Sequence, residues 1–160
     1  MTGALATGLV GVVLALAVAL FAAAAGFDRE RSFWPVVLVV VASYYELFAV
    51  QGGSAAAMVL EAWLLCGFAS LAVAGFRWNR GFVVAGLVGH GLLDLIHGRF
   101  LPSPATPTWW PTFCLAFDVT AGGLLIVRGY AAPNSRIGIA PDPLSQAPTG
   151  AHATQLENQP

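Results

Sequence analysis

Six ionisable side chains stand inside stretches of this sequence that are otherwise apolar: Glu46, Glu61, His90, Asp94, His97 and Asp118. Each costs a few kcal/mol in a bilayer interior on insertion scales, and such residues are rare there without a reason. His90, Asp94 and His97 stand at i, i+4 and i+7, which at 3.6 residues per turn puts them in one stripe of a helix. Trp110, Cys114 and Asp118 stack in the same way at i, i+4 and i+8. A histidine and a carboxylate one turn apart suit acid–base chemistry. His90 is the candidate base or acid and Asp94 its orienting partner, with Glu46, Glu61 and Asp118 as proton donors or stabilisers of developing charge. The same residue types also suit a divalent transition metal such as zinc, manganese or iron, with His90, Asp94 and His97 as candidate ligands. Tyr44, Tyr45, Trp110 and Cys114 are the candidate lining of the pocket.

Plainer readings exist for the same residues. A membrane carboxylate that pairs with a histidine across helices acts as packing glue. Near a span end His97 can simply face water. Tyr44-Tyr45 and Trp109-Trp110 suit an interfacial belt. The cysteines, Cys66 and Cys114, both lie in apolar segments and read as small buried hydrophobes, not as a disulfide.

The elements that must position these side chains follow from composition. The chain has 160 residues, 58% hydrophobic and 9% charged, against roughly a quarter charged in an ordinary soluble domain. A soluble fold this small cannot hide so much apolar surface. Five runs approach the roughly 20 residues needed to span a bilayer: about Ala4 to Ala25, Trp34 to Val50, Ala55 to Gly75, Gly81 to His97, and from Thr108-Trp109-Trp110-Pro111 to Val127. Ser32 reads as an N-cap of the second, with Pro35 in its first turn. Gln51-Gly52-Gly53-Ser54 reads as a tight turn, which makes the second and third helices an antiparallel hairpin. The expected fold is all-α: a five-helix transmembrane domain over 1–130, then a disordered cytoplasmic tail over 131–160 that is rich in Pro, Ser, Gln and Ala.

Arginine placement sets the expected orientation. Arg29, Arg31, Arg77, Arg80, Arg128 and Arg136 follow the first, third and fifth spans, and only Arg99 falls on the other side. The positive-inside rule then puts the N-terminus outside and the C-terminus inside. Trp34 and Trp78 mark the inner interface, and Trp109 and Trp110 the outer one. The first segment has no basic n-region and reads as a span, not as a cleaved signal. All seven basic residues are Arg, which fits a GC-rich bacterial genome and hence the bacterial inner membrane. No basic stripe is present, so nucleic acid is not an expected partner. With this orientation all six ionisable residues fall in the outer half, which predicts one polar pocket. His90 and Asp118 lie near the midplane and His97 near the mouth.

The run Ala42-Ser43-Tyr44-Tyr45, then Gly89-His90-Gly91-x-x-Asp94-x-x-His97, then Trp109-Trp110-Pro111-x-Phe113-Cys114-x-x-x-Asp118 resembles a family of small, uncharacterised bacterial multispanning membrane proteins. The likeness covers about Arg31 to Val127 and brings no activity with it. A looser likeness is to the sterol-isomerase and sigma-2-receptor group, where His90 and Asp94 match a His–acid pair and Asp replaces the isomerases' Glu. The multispanning zinc hydrolases with three His fit less well, since two His lie in the membrane here.

These observations lead to a membrane-embedded enzyme with a His/carboxylate pocket acting on a lipophilic small molecule or membrane lipid, metal-assisted or not. Metal or proton binding linked to transport, which would need an oligomer, is one alternative. A non-catalytic accessory protein is the other.

Overall fold

Five apolar runs with short polar breaks between them become five helices in the computed structural model, which describes residues 2–100 and 105–131. They are α1 Thr2–Ala25, α2 Phe33–Gln51, α3 Ala55–Arg77, α4 Gly81–Phe100 and α5 Trp110–Ala131, with a 3-10 turn at Phe27–Arg29. Each α-helix is long and apolar enough to cross a membrane. The described residues are therefore all-α, with the five candidate spans of a multi-pass membrane protein. The expected tail lies outside the described residues apart from Ala131, the last residue of α5.

Local signals account for most of the boundaries. Pro35 and Pro111 sit in the first turns of α2 and α5, where a missing N–H breaks no helical bond. Ser32 does not cap α2: its backbone is already helical (φ −81°, ψ −22°), and its side chain accepts no cap bond. A capping side chain needs extended backbone to reach the helix N–H groups. Ser54 has it (φ −96°, ψ 103°), and its Oγ accepts from Ala57 N at 3.2 Å to cap α3.

Packing runs in the order α1, α5, α4, α3, α2, with α2 also crossing α4. The buried positions of α1 are all small: Gly11, Ala15, Ala19 and Ala22. Without a hydrophobic drive between helices in lipid, close backbone approach is what holds them. At Gly11 a Cβ would run into the Phe113 carbonyl oxygen of α5, so this contact needs glycine. Outward faces are apolar, as in Leu9 (64% exposed), Trp63 (73%) and Leu92 (53%).

The arginine-rich end is assembled from the α1–α2 turn, the α3–α4 turn and the last turns of α5. Asp28, Arg31, Trp34, Arg80 and Leu125 surround one small cleft there. Arg128 reaches Asp28 Oδ2 at 3.5 Å and the Ala19 carbonyl at 3.4 Å. Trp34 lies at this end and is buried at 6% exposure, packed into the core beside Leu38 and Val83. Trp78 is exposed and Trp109 half-exposed.

Although α1 and α2 are neighbours in sequence, they do not pack along their length. The 3-10 turn touches both and closes one end. Between them lies an apolar groove of about 580 Å³, floored by α5.

Candidate functional site

The stripe on α4 faces inward. Its buried residues, Val83, Gly86, Leu87, His90, Gly91, Asp94 and His97, recur at helical spacing, so the chemistry continues the line of the core. Asp118 of α5, Glu61 of α3 and Tyr45 of α2 are buried against the same region. Four helices thus contribute to one polar cluster.

Gly91 sets the distance between α4 and α5. A Cβ there would stand 3.2 Å from both Asp118 Cβ and Leu115 Cα. That approach lets His90 Nδ1 donate to Asp118 Oδ2 at 2.7 Å. Asp94 Oδ2 is 3.8 Å from the same nitrogen. The partner of His90 is thus Asp118, across the helix interface, and not the i+4 residue expected from the sequence. In a helix the i and i+4 side chains run side by side, whereas a neighbouring helix can point a carboxylate straight at the ring.

Towards the other end of the stripe, His97 Nε2 donates to Glu61 Oε1 at 2.7 Å. Tyr45 stacks on the His97 ring, with centroids 3.9 Å apart and planes 27° apart. The sequence puts His97 at a watery mouth and in a ligand group with His90 and Asp94. In the structure it is 3% exposed and its Nε2 is taken by Glu61. The side chains that converge within 4.8 Å, each through one ligating atom, are instead His90, Asp94 and Asp118. Phe68, which sequence reasoning did not single out, meets the His90 ring edge-on at 5.1 Å.

Several polar atoms in and around this cluster have no hydrogen-bond partner among the described residues: both oxygens of Asp94, Oδ1 of Asp118 and the Tyr45 hydroxyl. The Tyr45 hydroxyl approaches Asp94 without a hydrogen bond of good geometry. Glu46 is half-buried, makes no hydrogen bond or ion pair to the cluster, and keeps one oxygen buried and unpartnered. A buried polar atom without a partner is expensive, most of all in hydrocarbon.

Tyr44, Trp110 and Cys114 line the apolar groove together with Val10, Val40 and Phe117. Tyr44 and Trp110 lie against each other at 5.0 Å. Cys114 is buried, one turn before Asp118, and forms part of the groove floor. Cys66 is exposed on α3, contrary to its expected burial; a free thiol is apolar enough to face hydrocarbon.

No family model, curated protein or solved structure matches this chain. What the cluster can do follows from its own chemistry. Glu61 is matched by His97. His90, however, faces two carboxylates and can neutralise only one of them. The remaining negative charge must meet a proton or a cation, because an uncompensated charge is not tolerated in this medium. Asp94 is where that proton or cation belongs, since neither of its oxygens is engaged.

Proposed function

We propose that this protein is a membrane-embedded enzyme that acts on a lipophilic small molecule, with the His90–Asp94–Asp118 cluster as its reaction centre. The observation that carries the reading is the groove between α1 and α2. Its lining is almost wholly carbon, its volume of about 580 Å³ is that of a small-molecule site, and its floor is α5, the helix that carries Asp118. Cys114 links the two, lining the groove and standing one turn before Asp118 on α5. An apolar molecule lodged from the lipid side therefore brings one end to within a side chain of the cluster. There His90 is fixed by Asp118, and Asp94 keeps both oxygens available for a proton or an activating ion.

Protein purified in mild detergent should retain a stoichiometric apolar small molecule, seen by mass spectrometry, and Val40→Trp should expel it by filling the groove. Incubated with a lipid extract, the wild type should deplete a species that His90→Asn leaves untouched. If nothing is retained beyond bulk phospholipid and no species is depleted, the enzyme reading is lost. An accessory role then remains, favoured by the buried His97–Glu61 bond, which joins α3 to α4.

In this reading the arginine-rich end is cytoplasmic and the N-terminus outside. The basis is Arg29, Arg31, Arg77, Arg80 and Arg128 against Arg99. A periplasm-active reporter fused after Pro160 should be silent and a cytoplasm-active one functional. The reverse pattern would invert the topology.

A further inference from the structure

We propose that His90, Asp94 and Asp118 form a binding site for one divalent transition-metal ion. The inference deepens the reading of this cluster as a reaction centre, but the site stands or falls on binding alone.

Three observations carry it. The first is convergence: one nitrogen and two carboxylate oxygens, from two helices, lie within 4.8 Å of one another. Ligands held about 2.0 Å from a tetrahedral metal are separated by about 3.3 Å. The existing His90 spacings of 2.7 Å (to Asp118) and 3.8 Å (to Asp94) straddle that value, and the two carboxylates lie within 4.8 Å of each other, so side-chain rotations that draw the three atoms together, without movement of the helices, form the site. The second is the state of Asp94, which is 2% exposed with both oxygens unpartnered. Asp118 Oδ1 is likewise free, so each carboxylate has capacity for a ligand beyond its present contacts.

The third is charge. In the metal-free group a protonated His90 offsets one carboxylate. A ligating His90 is neutral, so the group carries −2 and a divalent ion brings it to zero. The His97–Glu61 pair balances itself, whether as an ion pair or as two neutral groups. A monovalent ion leaves one negative charge uncompensated, and a trivalent ion leaves one positive. Neutrality is the requirement that a bilayer interior imposes most strongly.

One nitrogen and two oxygen donors, with no thiolate, suit zinc, manganese or ferrous iron better than copper(I). Three protein ligands also leave a coordination position open for water or substrate, the pattern of catalytic sites as opposed to closed structural ones. The Tyr45 hydroxyl, which approaches Asp94, is a further unpartnered oxygen. A small rotation would let it donate to the ligand carboxylate, the kind of outer contact that orients a metal ligand.

The test uses full-length protein in mild detergent, stripped with a chelator and titrated separately with Zn²⁺ and Mn²⁺. Isothermal titration and elemental analysis after gel filtration should give one ion per chain for at least one of the two. Saturation should raise the melting temperature by roughly 5–10 °C. Asp94→Asn, which preserves shape, should weaken binding by about 100-fold or more. Glu61→Gln, outside the convergent group, should bind like the wild type. Because removing a ligand can unfold the chain, Asp94→Asn is accepted only if it elutes as the wild type does. If it does not, Asp118→Asn under the same criterion takes its place. Absence of stoichiometric binding by either ion, or equal binding by the Asn variants, overturns the site. The two proposals fail separately. A retained lipophilic molecule and a His90-dependent conversion without metal would leave the enzyme reading intact and remove this one. Metal without either would do the opposite.

Discussion

His90→Ala is expected to lower the melting temperature in detergent by roughly 10 °C or more, equivalent to about 3–5 kcal/mol. Hydrogen bonds between membrane helices average only about 0.6 kcal/mol in double-mutant cycles, so the lost bond to Asp118 is the small part. The larger part is what stays behind. Asp94 and Asp118, 2% and 0% exposed, would face each other with no basic group between them, and like charges in a low-dielectric site repel strongly. Adding Asp94→Asn removes one of those charges and should recover about 1–3 kcal/mol, a non-additivity of the size expected within one contact network. Thermal unfolding of the wild type, both single variants and the double variant measures this. A His90→Ala protein within about 0.5 kcal/mol of wild type, the range of surface substitutions, would mean that the cluster is hydrated and that its charge balance does not govern the fold.

His97→Ala should be nearly as damaging, about 3 kcal/mol. From its position near the end of a span, His97 reads as a residue whose interactions water can replace. The structure removes that basis: both members of the Glu61–His97 pair are 3% exposed, and Tyr45 covers the ring face. Removing His97 strands Glu61. Removing Glu61 by Glu61→Ala strands the ring nitrogen. Glu61→Gln keeps an acceptor oxygen in place and should cost only about 1 kcal/mol. Glu61→Ala combined with His97→Ala should cost clearly less than the two single changes summed, since neither group is then left unpaired. Strict additivity, or an indifferent His97→Ala, would place the pair in water and restore the expectation of a wet mouth. Because Glu61→Gln is also the binding control for the metal site, one set of variants separates a pair that holds helices together from a cluster that holds an ion.

What the sequence determined by itself is what depends on local pattern. Span number, approximate boundaries and the all-α class follow from apolar run length, since a bilayer tolerates little else. The inward stripe of α4 follows from 3.6-residue spacing, and the burial of His90, Asp94, Glu61 and Asp118 follows from the cost of exposing them to lipid, whereas the burial of His97 does not. Pairing did not follow. That His90 bonds Asp118 and not Asp94, that His97 bonds Glu61, and that Glu46 stays out of the network all depend on how α3, α4 and α5 turn and how closely they approach. In lipid those variables are set by small-residue contacts such as Gly91 against Asp118 and Gly11 against Phe113, which no periodicity encodes. The groove is likewise a tertiary fact. It exists because α1 is drawn onto α5 by its small face, leaving α2 unpaired along that side. Sequence chose which side chains must be hidden from hydrocarbon; only the packing of the helices decided which of them meet.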